Sequence, residues 1–153
     1  MNPFVEKLSI EAASEVILIP WMISRGWIFG EHYPRFDFRG DYPITRNSIS
    51  KNLEIKAEQK TTGNLFIEWA SNAYVGRQRW GWYYTLKADI LLYHFLDENT
   101  VHTIDVKRLQ ECELWKYRTA AATIEQHNLT LGLLIPVEHL QAMEIVTDTH
   151  QLE

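Results

Sequence analysis

A chain of 153 residues with 46% hydrophobic side chains can bury one core, which excludes a disordered segment. Its net charge of −5 excludes a protein that coats nucleic acid by bulk positive charge, though not a metal enzyme whose acidic site adds negative charge of its own. The single cysteine, Cys112, excludes an internal disulfide and any cysteine-built zinc site, and fits a reducing, cytoplasmic setting.

Asn2-Pro3 predicts a helix start, with the proline in the first turn. Leu8, Ala12, Val16 and Ile19 recur at helical spacing and give it an apolar side, while Glu11 and Glu15 share another face. Pro20 is expected to kink or end this helix, and Gly26 to stop what remains. The apolar run from Val16 to Ile23 contains that proline and is too short to span a bilayer. No basic segment with a cleavage site precedes it, so no signal peptide is expected. Trp27-Ile28-Phe29 opens a strand-like run continuing through His32-Tyr33, which Pro34 breaks. Arg35 to Arg39 alternates polar and apolar residues and predicts a half-exposed strand, with Gly40-Asp41 as a turn or bulge beside it. In an extended chain, positions 37, 39 and 41 point the same way, so Asp37 and Asp41 would both reach one site. Tyr42 to Asn52, with Pro43, Asn47 and two serines, reads as a loose connection.

Leu53-Glu54-Ile55-Lys56-Ala57-Glu58 predicts the central strand, with Leu53, Ile55 and Ala57 on one face and three charges on the other. A polar turn follows, then Leu65 to Trp69 as a second strand, so 53–58 and 65–69 are expected to pair as a hairpin. Ser71 to Gly81 reads as a loop in which Arg77, Arg79 and Trp80 interleave basic and aromatic side chains, suited to phosphate contact and base stacking. Thr85 is placed to cap a short helix through Lys87-Ala88-Asp89. Ile90 to Phe95 and Val101 to Ile104 read as strands joined by a turn at Asp97-Glu98-Asn99. Asp105 to Arg118 reads as a helix and 119–128 as ambiguous. Leu131 to Ile135 is a last apolar strand, and Val137 to Met143 a short helix after Pro136. Residues 1–146 thus form a single domain, and 147–153 a polar, frayed tail. The six histidines show no zinc-ligand spacing.

Hydrolysing a phosphodiester requires a nucleophilic water and a leaving oxygen whose charge is neutralised, and one divalent cation can serve both needs. Magnesium takes hard oxygen ligands and keeps several waters, so two or three carboxylates suffice. Glu54, with Asp37 or Asp41 from a neighbouring strand, supplies that pair, and the Ile55 carbonyl is a candidate further ligand. Lys56 lies two residues beyond Glu54 and so faces the same side, where it can orient the attacking water or stabilise charge building on the phosphate.

An aspartate, a gap and then Glu-x-Lys resemble the signature of the PD-(D/E)XK nuclease superfamily. The order of elements adds to the likeness: a helix with Glu15, a strand with Asp, the Glu-x-Lys strand, another strand, a helix and a further strand. The segments Gly63-Asn64-Leu65-Phe66-Ile67-Glu68, Ser71-Asn72 and Gly81-Trp82, with Thr85, Lys87, Ala88 and Asp89, are similar to phage-encoded and related bacterial members. The likeness covers roughly residues 10–106. It implies an α/β, restriction-endonuclease-like fold, with a mixed central sheet flanked by helices. It also implies a magnesium-dependent enzyme, with manganese as an alternative ion, that cuts DNA in a bacterial or phage-infected cell, as a homodimer where both strands of a duplex are cut. Carried over residue by residue, Asp41 or Asp37 fills the first acid, and Glu54 and Lys56 fill the rest. No proline precedes either aspartate. Asp41 is favoured because Gly40 lets the backbone bend at a site edge. Glu15 matches the helix acid that some members, such as Holliday-junction resolvases, add, and Lys87 matches a lysine at the start of the helix after the hairpin. The alternative is a catalytically inactive module that keeps the fold and binds nucleic acid or protein.

Overall fold

The computed structural model describes residues 3–71, 79–117, 119–125 and 128–153. Helix α1 (Pro3–Ser24) opens the chain. The short strand β1 (Ile28–Phe29) follows, then β2 (Tyr42–Arg46) and β3 (Ile49–Glu58). Next come β4 (Asn64–Ser71), β5 (Arg79–Trp80), a single helical turn α2 (Trp82–Thr85), β6 (Ile90–Phe95) and β7 (Thr100–Asp105). The last third holds α3 (Val106–Glu111), a 3-10 turn over 114–116, β8 (Thr119–Glu125), β9 (Asn128–Pro136), α4 (Val137–Ala142) and β10 (Val146–Gln151).

The strands form two sheets. One has the order β1-β2-β3-β6-β7-β10 and the other β5-β4-β9-β8. In the first, β3 and β6 run parallel while the other pairs are antiparallel, so this sheet is mixed and the fold is α/β. Period-2 alternation then sorts the side chains into two cores. Leu53 and Ile55 of β3, with Leu92 and Val101, turn to α1 and pack on Leu18 and Met22. Leu91, Tyr93 and Phe95 turn the other way and meet Leu65, Ile67, Leu133 and Ile135 of the second sheet. The result is three layers, helix on sheet on sheet. No helix of the described residues is long and apolar enough to cross a membrane.

Several expectations are corrected by this structure. Helix α1 does not end at Pro20 but continues to Ser24. The proline sits on the exposed side, one turn after the 75% exposed Val16, whose carbonyl loses only the N–H that proline lacks. Residues 35–39 form turns rather than a strand. Residues 42–52 are not a loose connection but an antiparallel hairpin. Its two-residue turn, Asn47 (φ 52°) and Ser48 (φ 65°), has the left-handed signs that strand twist favours. The hairpin expected between 53–58 and 65–69 is absent, because β3 already has β2 on one edge and β6 on the other. A strand has only two edges, so β4 leaves to found the second sheet with β9 and β5.

The helix expected from Thr85 onward lies earlier, at Trp82–Thr85, and Thr85 closes it with a bond from Oγ1 to the Gly81 carbonyl. The helix expected over 105–118 ends at Glu111. Leu109 and Leu114 are both buried, and a five-residue separation cannot place both on one helical face. The polar tail is a strand as well: β10 pairs with β7 from Val146 to Gln151.

Candidate active site

The cluster begins with a backbone bend. Gly40 has φ +106°, and a Cβ there would stand 2.7 Å from the Leu53 carbonyl oxygen. Only glycine lets the chain enter β2 this close to β3. The next residue, Asp41, donates its N–H to the Leu53 carbonyl at 2.7 Å. Its Oδ2 accepts the Ile55 N–H at 2.7 Å, so a side-chain oxygen continues the ladder beyond the first strand pair. The register sets Tyr42 opposite Leu53, and Asp41 lies just before that first pair, near enough to Glu54 for its charge to act on that carboxyl. Along β3, carbonyls 52 and 58 accept from the β6 side and carbonyl 53 from the β2 side. By that alternation the Ile55 carbonyl is directed past the end of β2, alongside the Asp41 carboxylate.

Glu54 and Lys56 share the face that looks toward the second sheet. Lys56 Nζ lies 3.5 Å from Glu54 Oε1, and only 13% of the Glu54 side chain is exposed. Burial, reinforced by the negative charge of Asp41, pushes the Glu54 carboxyl up to about 7 despite the opposing pull of Lys56. For Lys56 itself, burial favours the neutral amine, but Glu54, Glu68, Glu11 and Asp41 outweigh it. Its pKa is raised, so it stays an ammonium at neutral pH. The Lys56 ammonium also stands 5.8 Å from the centre of the Trp82 ring, on α2.

Helix α1 approaches from the other layer. Tyr42 donates its hydroxyl to Glu15 Oε2 at 3.1 Å. The Glu15 carboxyl is raised by burial and by its neighbours Asp41 and Glu11, and the Tyr42 phenol is pushed up to about 12 by burial and by Glu15. His32 Nε2 lies 3.9 Å from both Glu15 Oε1 and Asp41 Oδ1. Its Nδ1 bonds the Tyr33 carbonyl, which can only accept, so Nδ1 carries a proton and Nε2 faces the two acids. His32 was missed by sequence reasoning. A single histidine in an irregular loop carries no spacing signal, and only the fold sets it between residues 15 and 41.

The sequence candidates therefore separate. Asp41, Glu54 and Lys56 come together with the Ile55 carbonyl, and Glu15 joins through His32 and Tyr42. Asp37 does not join them: both its oxygens engage Arg39, at 2.9 and 3.0 Å, and this guanidinium holds its carboxyl down at about 2. The physical reason is the turn at 34–40, which removes the extended geometry that would align 37 with 41. Arg77 lies outside the described residues. Trp80 is exposed at the end of β5, the strand that also holds Arg79, and Lys87 is exposed with its N–H on the Phe38 carbonyl at 2.7 Å.

Among the described residues, no group of three or more His, Cys, Asp or Glu side chains is gathered tightly enough to hold a metal ion. The donor chemistry at Asp41, Glu54 and the Ile55 carbonyl nevertheless suits magnesium, which binds through one or two carboxylates and retains water. Burial, more than the neighbouring Asp41, raises the Glu54 carboxyl, and a cation bound there would favour its ionised form. Comparison with protein-family models, with curated proteins and with solved structures finds no match.

Proposed function

We propose that this chain is a divalent-metal-dependent nuclease that hydrolyses DNA phosphodiester bonds, on a restriction-endonuclease-like core of PD-(D/E)XK type. The observation that carries the reading is the 2.7 Å bond from the Ile55 N–H to Asp41 Oδ2, which holds the Asp41 carboxylate against β3 between Glu54 and Lys56, whose side chains lie 3.5 Å apart. The order of elements supports it too: an acid-bearing helix, the aspartate strand, the Glu-x-Lys strand, then an excursion containing α2 and a parallel return as β6. A reducing, cytoplasmic setting in a bacterial or phage-infected cell fits the single free Cys112.

In this reading Asp41, Glu54 and the Ile55 carbonyl hold magnesium or manganese. The bound ion would supply Lewis acidity and lower the pKa of water. Asp41 is oriented by the Ile55 N–H and Glu54 by Lys56. As an ammonium, Lys56 offers a positive charge to a phosphate oxygen as negative charge builds there. Glu15 and His32 form a second rank behind Asp41, restraining it from the α1 side. One such site cuts one strand, so duplex scission calls for a homodimer or two encounters.

The test is incubation of plasmid, single-stranded and branched DNA with the protein plus magnesium, manganese or chelator. Metal-dependent cutting that Glu54→Ala and Lys56→Ala abolish, with circular dichroism unchanged, is the expected result. If the wild-type chain binds DNA but neither cuts it nor takes up magnesium or manganese by calorimetry, it is a binding module on this fold instead.

A further inference from the structure

Among the described residues, four Phe, Trp or Tyr side chains are exposed: Phe36 (87%), Phe38 (58%), Trp80 (64%) and Tyr84 (58%). All four belong to two segments, the 34–40 turn and residues 79–87, which the bond from the Lys87 N–H to the Phe38 carbonyl ties together at 2.7 Å. Both segments adjoin the candidate site. The first ends at Gly40 and Asp41, and the second carries Trp82 against Lys56.

The turn is held in shape. Asp37 donates its N–H to the Pro34 carbonyl, Gly40 donates its own to the Asp37 carbonyl, each at 3.1 Å, and Asp37 clamps Arg39. Phe36 sits at the tip with φ +62°, a conformation that costs energy for an aromatic residue and persists only where the surroundings impose it. It is thereby presented to solvent, with the Arg35 guanidinium 5.4 Å from its ring centre. On the second segment, Trp80 packs edge-on against Tyr84, and Tyr84 against Tyr83, each at 4.9 Å. The charge is complementary to phosphate: residues 34–40 and 79–87 hold Arg35, Arg39, Arg79 and Lys87 against one acid, Asp37, in a chain of net charge −5.

We propose that these two segments form a stacking platform for unpaired bases, with Phe36 as a wedge, so that the site takes DNA with single-stranded character. Aromatic faces accept any base, while the surrounding cations track the backbone. A closed duplex hides its base faces and would leave the four aromatics in water. This inference rests on the nuclease reading in assigning nucleic acid to the site, and binding tests it separately from cleavage.

The measurement is fluorescence anisotropy of a labelled oligothymidine of about 12 nucleotides and of a matched duplex, with chelator present and at fixed salt. The wild-type protein should bind the single strand more tightly. Phe36→Ala and Trp80→Ala should each weaken that binding by about five- to a hundredfold and leave the duplex little changed. Both side chains are exposed, so the variants should fold, and a thermal melt checks it. Equal affinity for the two DNAs, or alanine variants that bind the single strand as wild type does, overturns the proposal. A change in sedimentation with no change in DNA affinity also overturns it, and identifies the patch as a contact between copies. Strand-selective binding without cleavage in magnesium or manganese upholds the platform and overturns the nuclease reading alone.

Discussion

Glu54 carries the strongest electrostatic consequence. Burial pushes its carboxyl from the ordinary 4.5 up to about 7, so between those limits the folded state holds a proton that the unfolded chain releases. The metal-free protein should therefore lose stability as pH rises from about 4.5 to 7, by on the order of a few kcal/mol. Glu54→Gln should flatten that slope, as urea melts across this pH range would reveal. Magnesium or manganese needs the carboxylate, so the rise in melting temperature on adding metal should be larger at pH 8 than at pH 6, and should vanish in Glu54→Gln. The same substitution should reduce DNA cleavage about a hundredfold or more. Gly40 tests the backbone beneath Asp41. Gly40→Ala adds a Cβ 2.7 Å from the Leu53 oxygen at φ +106°. It should cost about 1–3 kcal/mol in a denaturant melt and lower activity by displacing Asp41. At this scale the sequence was informative where neighbours along the chain decide. Glu54 and Lys56 share a face because alternate residues of any strand do. It was silent on His32, which only folding brings to Glu15 and Asp41.

Elements show where local rules lost to context. Pro20 lies inside α1 without ending it, because the helix has residues before and after it that the core holds, including Leu18 and Met22. Pro20→Ala should restore a backbone bond on the exposed side and raise stability by about 1–3 kcal/mol, read as a higher denaturant midpoint. The β2–β3 turn gives a second case. Ser48 at φ 65° occupies a conformation that glycine adopts at little cost. Ser48→Gly, giving an Asn-Gly turn, should raise stability by about 0.5–1 kcal/mol without changing activity. The sequence 42–52 looked like a loop because Pro43 and two serines dilute its strand pattern. Its pairing comes from β3, whose exposed edge needed a partner.

At the scale of the whole molecule, β10 closes the outer edge of the six-stranded sheet, and its Thr149 hydroxyl meets the buried His102 Nδ1 at 2.9 Å. Ending the chain after Ile145 would bare the β7 edge and leave that imidazole without its partner. The shortened chain should melt at least about 5 °C lower, by calorimetry, and self-associate at concentrations where the full chain does not. Residues 147–153 read as a frayed tail because their side chains are mostly polar, yet an edge strand needs only backbone bonds and one covered face. The same distinction separates what the amino acids dictated from what the assembled fold added. Strand periodicity set the charged side chains of 53–58 on one face and the apolar ones on the other, and residue type set what they can ligate, since both act over a few residues. Which aspartate meets Glu54, that β4 joins another sheet, and that α1 lays Glu15 near the cluster depend on pairings between residues distant along the chain. Those pairings are chosen by edges already filled and cores already packed, so they exist only once the whole chain has folded.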